Sequence, residues 1–330
     1  MSYPTGNVYP PIATPSATKV VAASNSLRKN ADYICDGTDD QAEINAAISS
    51  LGTSGGSVIL LEGTYSITGP INLASNVALI GQGPGTVLRV PNAFNANLNV
   101  VSASGVSRVV VANLRIDGNR ANQTAGIMNG VYFYNVTYGE IRSCYLENLR
   151  GEGIYLYSSN NNTVSGNTCR GNYYEGILLD RSSNNTVSGN TCQGNNSDGI
   201  ALYRSSNNTV SGNTCQGNYY EGIFLWESSN NNICGNTCIE NSQLTDNTYS
   251  NIQIFLNSDY NLISGNVCRR GALTNKPKYG INIATSDCDY NMVEGNDLYD
   301  SGSTGDLNDA GTNTRKRDNL GNTGDWLTDV

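Results

Sequence analysis

The sequence predicts an all-β solenoid, a parallel β-helix, and three observations predict it. The first is a repeat. Cys169, Cys192, Cys215 and Cys238 follow one another at a fixed step of 23 residues, and Gly153, Gly176, Gly199 and Gly222 keep the same step. A period of this size, written in short apolar pairs and turn residues, marks stacked supersecondary units. The second is the spacing inside each copy. Ile177 and Leu179 are two apart, as are Asn190 and Cys192, which is the period of a strand. The third is punctuation. Asn-Asn, Ser-Gly and Gly-Asn interrupt every apolar run before it reaches helical length. Each copy is therefore one coil, lying about 4.8 Å above the last.

Stacking puts equivalent residues of successive coils in files. One file runs Val111, Ile141, Val164, Val187, Val210, Ile233, Ile263, Val293. A second runs Ile116, Leu146, Cys169, Cys192, Cys215, Cys238, Cys268, Leu298, and a third Leu156, Leu179, Leu202, Leu225, Ile254, Ile283. All are apolar and predict a dry interior. Asn167, Asn190, Asn213, Asn236, Asn266 and Asn296 form a fourth file, whose amides bond along the axis at a tight bend. The longer coils reaching Cys268 and Leu298 hold their extra residues near Ser242–Tyr249 and Gly271–Tyr279, expected as loops leaving the body.

Composition sets bounds. A formal charge of −9 and a pI near 4.5 argue against a nucleic-acid surface. No apolar run reaches membrane length, and Met1–Ser24 has no signal-peptide pattern, so the expectation is a soluble chain without a membrane partner. The nine cysteines read mainly as buried thiols, since five of them sit in the interior file, where cysteine acts as a small hydrophobe. There is no C-x-x-C pair and no histidine, which disfavours zinc, and parallel stacked thiols fit disulfide geometry poorly.

In chain order, residues 1–18 form an extended arm, rich in Pro, Ser, Thr and Tyr, which is either a plain terminus or an attachment segment. Residues 19–300 form the β-helix. Near its start, Thr38 and Gln41 have capping-box spacing, and Ile44, Ala47, Ile48 and Leu51 follow at helical spacing. An amphipathic helix over about residues 39–51 is expected to plug the first coil. Asp39 and Asp40 read as first-turn acids suited to the helix dipole. Val58–Leu61, Ile71–Leu73 and Val77–Ile80 read as strands. Gly81-Gln82-Gly83-Pro84-Gly85 resembles a dinucleotide fingerprint only superficially, since a strand pattern follows it. Residues 301–330 lose the period and are expected as a capping tail, with Arg315-Lys316-Arg317 a solvated turn.

Cys35-Asp36-Gly37-Thr38-Asp39-Asp40, Gly63-Thr64-Tyr65 and Ile80-Gly81-Gln82-Gly83 together resemble the amino-terminal portion of the pectate-lyase-like superfamily. The repeats from Asn161 onward resemble its right-handed β-helix repeat. The resemblance covers most of residues 20–300. It implies a single-stranded right-handed parallel β-helix with an N-terminal capping helix. It also implies a functional range of polysaccharide lyases, glycoside hydrolases, sugar epimerases, phage tailspikes and non-catalytic members. The cap and repeat are similar to phage tail and tailspike proteins, which implies an extracellular or virion-associated setting. A homotrimer or attachment to a larger assembly would suit that setting. The histidine used by polygalacturonase-like enzymes and mannuronan epimerases is missing, and so is the full calcium-and-arginine pattern of pectate lyases.

Strand alternation sends Tyr155, Leu178, Ala201 and Phe224 outward, with Tyr157, Asp180, Tyr203 and Trp226 beside them. Before each strand lies an acid: Glu152, Glu175, Asp198, Glu221. Tyr173-Tyr174 and Tyr219-Tyr220 flank the acids. Aromatic faces beside carboxylates suit a sugar chain, so the substrate-binding candidates are Tyr155, Tyr157, Tyr174, Tyr203, Tyr220, Phe224 and Trp226. Acids stacked at coil spacing repel, so their pKa values rise or a cation joins them. Three outcomes stay open. Glu175 with Asp198, or Glu175 with Glu221, forms a hydrolase pair, since adjacent coils give about 5 Å and alternate coils nearly 10 Å. Alternatively the acids hold Ca²⁺ with Asp180, while Arg181 or Arg204 drives β-elimination. Or the column is a solvated turn copied by duplication. Trp226, Glu227 and Ser242–Tyr249 break the symmetry most, which places a unique site near residues 198–255. The expected function is polysaccharide recognition, as a tailspike-like depolymerase of the hydrolase or lyase kind. The alternative is a non-catalytic structural or adhesive rod. No cofactor is certain; Ca²⁺ is the one ion the oxygen ligands suit.

Overall fold

The structure is a computed structural model. It describes residues 17–321 and the backbone of Trp326 and Leu327, so nearly all of the expected arm and the last residues of the tail lie outside it. Among the described residues the chain winds into a right-handed coil whose strands form three parallel sheets of 13, 9 and 10 strands. These are called here the side, back and front sheets. One coil shows the plan: Ile177–Asp180 lies in the front sheet, Thr186–Ser188 in the side sheet and Thr191–Gln193 in the back sheet. Registers match the repeat, since Val187 pairs with Val164 and Val210, Cys192 with Cys169 and Cys215, and Leu179 with Leu156 and Leu202. The three apolar files are fully buried, as the spacing predicts. Cys169, Cys192, Cys215, Cys238 and Cys268 lie inside, and all nine cysteines are free.

The corners explain the polar part of the repeat. At each corner one residue takes a left-handed conformation and the next turns its side chain inward. In the coil above these pairs are Arg181-Ser182, Asn184-Asn185, Gly189-Asn190 and Gly194-Asn195. A bend in a dry interior strands backbone N–H groups, which must find partners. The inward side chain supplies them: Asn190 Oδ1 accepts from the backbone N (2.9 Å) and from Nδ2 (3.0 Å) of Asn167, and Asn190 Nδ2 donates to Val164 O (2.9 Å). The sequence pattern shows one such ladder. The structure adds two more of asparagine, through Asn185 and Asn195, and one of serine, in which Ser159 N donates to Ser182 Oγ at 2.9 Å.

The cap helix, α1, spans Gln41–Ser50 and buries Ile44, Ala47 and Ile48 over the first coil. The expected capping box does not form. No side chain caps the helix; Gln41 instead exchanges two hydrogen bonds with Thr68, and the Thr38 hydroxyl donates to Asp36. Asp40, at the N-cap, is not a solvated dipole partner. It is buried and accepts from the backbone N–H groups of Gly37 (2.8 Å) and Ser66 (2.7 Å), pinning the helix start to the coil beneath. At the other end the stacking outlasts the visible period. Gly305–Asp309 pairs with Tyr279–Ile283, and Arg315–Arg317 is an edge strand on Met292–Glu294 rather than a turn.

Candidate functional site

The acids before each front-sheet strand lie at a corner with no room for a side chain on the next residue. A Cβ on Gly199 would sit 2.6 Å from the Gly222 carbonyl oxygen, and Gly176 meets Gly199 in the same way. Glycine is therefore needed beside each acid for steric reasons, and the coil closes tightly enough to bury the carboxyl. Glu175, Asp198 and Glu221 are only 7%, 2% and 5% exposed. That overturns the reading of the column as a solvated turn.

Burial is the largest cause holding all these carboxyls above their ordinary range. It raises Glu152 and Glu221 to about 7, and it raises Glu175 and, further, Asp198. The negative fields of Glu221 and Glu175 push Asp198 further up, while the Glu221 backbone N–H opposes them. Specific contacts order the acids: Ser197 Oγ donates to Glu175 Oε1 at 2.8 Å, and Glu221 N donates to Asp198 Oδ1 at 2.9 Å.

Glu175, Asp198 and Glu221 form the floor of a cleft of about 870 Å³. Tyr173, Tyr174, Tyr219 and Tyr220 line it, with Tyr203 and Phe224 from the front sheet. Leu244, Thr248 and Tyr249 come from the loop at 242–249. That loop is braced by the next one: Gln243 Nε2 donates to Asn275 O (2.8 Å), Asn275 Nδ2 to Gln243 O (2.8 Å), and Asn247 N to Lys276 O (2.9 Å). The Tyr220 and Tyr249 rings lie 4.6 Å apart between centroids. No Lys or Arg lines the cleft.

Of the residues singled out from sequence, the cleft gathers Glu175, Asp198, Glu221, Tyr174, Tyr203, Tyr220 and Phe224. Five lie elsewhere. Tyr157 stacks on Tyr134 and takes a hydrogen bond from Arg181. Trp226 lies under the Arg204 guanidinium at 4.8 Å, and Arg204 is paired with Glu227 at 2.7 Å, so neither faces the acids. Tyr155 lines a separate recess, and its hydroxyl is 3.5 Å from Asp180. Asp180 therefore does not join the column as a calcium ligand. The physical reason is position along the strand: Tyr157, Asp180 and Trp226 share one register row toward the strand end away from the acids. Tyr203 shares that row, but its ring turns edge-on to Phe224 and reaches the cleft. Leu178 and Ala201, expected outward, are buried yet stand apart from the interior core. Sequence reading passed over Tyr249, Leu244, Thr248 and Gln253 as individual residues. The loop's break in period was their only signal.

The family described as periplasmic copper-binding protein (NosD) matches residues 74–254. The chain belongs to this NosD family. Among curated proteins there is no significant match. Among solved structures, the chain is similar to ORF18 of Geobacillus virus E2, with a TM-score of 0.69 and 17% identity, over 85% of this chain and 58% of that one. It is similar to tailspike protein 2 from Escherichia coli O157:H7 bacteriophage CAB120, with a TM-score of 0.61 and 17% identity, over 84% and 44%. It is similar to the A-module of the Azotobacter vinelandii mannuronan C-5 epimerase AlgE6, with a TM-score of 0.54 and 19% identity, over 86% and 95%. The chain thus spans little over half of the first and less than half of the second. At these identities the likeness is one of fold.

Copper, in the NosD family's description, does not fit the donors present here. The chain has no histidine. The thiols of the interior file are fully buried, and Cys192, Cys215, Cys238 and Cys268 are held well above the usual thiol range, so they stay protonated, whereas a copper ligand is the thiolate. Among the described residues, the one group of three donor side chains that converges within 4.8 Å is Cys35, Asp40 and Glu43. It lies outside the matched stretch, and both Asp40 oxygens already accept backbone hydrogen bonds. Likewise, no three carboxylates of the acid file converge as a calcium site would require.

Proposed function

We propose that this NosD-family chain binds a polysaccharide in the cleft and hydrolyses it. The observation that carries the reading is the set of buried carboxyls with raised pKa values at the foot of an aromatic-walled cleft. Tyrosine and phenylalanine faces stack on the apolar faces of sugar rings, and the carboxyls meet hydroxyls and the glycosidic oxygen. With no cation in the cleft, a uronate chain would bring negative charge onto acids with nothing to balance it, so the substrate is a neutral glycan. The same absence speaks against β-elimination by Arg181 or Arg204.

Glu221, at about 7, is matched to give and regain a proton near neutrality. It protonates the leaving oxygen as the glycosidic bond breaks. Glu175, two coils away and so about 10 Å, takes a proton from the water that attacks the anomeric carbon; this is near the inverting separation. Asp198 lies between them in the file, its carboxyl pushed up by burial and by the fields of both glutamates. Reducing-sugar release from a panel of neutral polysaccharides tests the reading. Glu221→Gln and Glu175→Gln should each lower kcat by about 10²–10⁴. Glycan binding without any release would instead support the non-catalytic adhesive reading, for which the depth of Asp198 speaks. A virion-associated or extracellular setting suits either activity, as does assembly into a larger particle.

A further inference from the structure

The acid file does not end at Glu152; it changes chemistry. Glu152 N donates to Asn129 Oδ1 at 3.1 Å, the contact that Glu221 N makes to Asp198 Oδ1 at 2.9 Å. Asn129 Nδ2 in turn donates to Asn99 Oδ1 at 3.0 Å. Asn99 and Asn129 thus continue the file with amides where the cleft has carboxyls. The aromatic row continues too. Tyr132 pairs in register with Tyr155, then Leu178, Ala201 and Phe224 follow on the same face of the front sheet. The Tyr132 and Tyr155 rings lie 5.2 Å apart and stand over a recess of about 490 Å³. Asn72, Asn97, Asn99 and Asn129 line it, and no acidic or basic side chain does.

We propose that this recess is a second glycan subsite, built on the plan of the cleft but unable to transfer a proton, which holds an uncharged stretch of the same chain. The inference rests on the polysaccharide reading of the cleft. Amides donate and accept toward sugar hydroxyls, whereas a neutral amide cannot act as the acid of hydrolysis. Three coils, about 14 Å, separate Tyr155 from Phe224, a span that an oligosaccharide bridges. Between them the row continues through Leu178 and Ala201, which are buried and carry no ring. Two subsites on one rigid sheet make the second contact intramolecular and raise affinity for long chains.

Isothermal titration tests this with neutral octasaccharides of glucose, mannose and galactose, and with the matching uronate octasaccharides. The neutral chain that binds best should lose about tenfold in affinity in Tyr132→Ala, while Tyr132→Phe retains it. Tyr220→Ala, in the cleft, should lose a similar amount. If Tyr132→Ala stays within twofold of wild type while Tyr220→Ala weakens binding, the second subsite is wrong and the cleft stands. If no neutral octasaccharide binds wild-type protein, or uronates bind better, both readings fall. Thermal melting of each variant separates lost binding from lost fold.

Discussion

Asn213 shows what a single side chain does in this fold. It accepts from Asn190 N (2.9 Å) and Asn190 Nδ2 (3.0 Å), and it donates to Val187 O (3.0 Å) and to Asn236 Oδ1 (2.9 Å). Asn213→Ala would leave buried donors and acceptors on both neighbouring coils unpaired, at a cost of roughly 1–3 kcal/mol for each group left without a partner. Denaturant unfolding should show a total loss of about 2–4 kcal/mol, and Asn213→Asp should not restore it, because a carboxylate lacks the donor. The Asn167–Asn296 file was legible in the sequence because identical amides recur at a fixed step. The serine ladder was not, because Ser182 sits next to the half-buried Ser183 and nothing in the letters says which turns inward. Trp226 misled for a related reason. Its rarity drew notice, but the row it occupies, not its chemistry, decides what it faces.

The cap helix and the two neighbouring loops are the elements that break the repeat, and each does a job the coils cannot. Helix α1 closes the apolar end of the first coil with Ile44, Ala47 and Ile48. Ile44→Ala should cost about 2–5 kcal/mol, read as a lower denaturation midpoint. The periodicity of Ile44, Ala47 and Ile48 made the helix legible. Its start was not, because Thr68, far away in sequence, takes the Gln41 side chain that a local capping box would have used, and Ser66 N donates to Asp40. The loops followed the same logic. Their places were visible as departures from the step, but the wall they build depends on Gln243 and Asn275 meeting across two coils.

For the molecule as a whole, the buried acids link stability to pH. The folded pKa values of Glu152 and Glu221 are raised from the ordinary 4.5 to about 7, and those of Glu175 and Asp198 are also raised. Raised carboxyls favour the folded state when protonated. For Glu152 and Glu221 that stabilisation is fully present below about pH 4.5 and is lost as pH climbs through about 7. The melting temperature should fall over that interval by an amount corresponding to a few kcal/mol. Glu152→Gln with Glu221→Gln should flatten the profile. A flat wild-type profile would mean that the acids are solvated. Sequence reading anticipated the repulsion from the stacking of Glu152, Glu175, Asp198 and Glu221. It missed their burial, because the closeness of Gly199 to Gly222 appears only once the coils are in place.

The constant coil also makes the protein a ruler. Excising one whole turn of the spiral from between Tyr155 and Phe224 would leave every ladder in frame, since the joined ends repeat the same letters. It would shorten the distance between the two recesses by one notch of about 4.8 Å. Gene duplication or loss, slipping by whole units, can thus change the length of sugar chain the surface measures without redesigning either end.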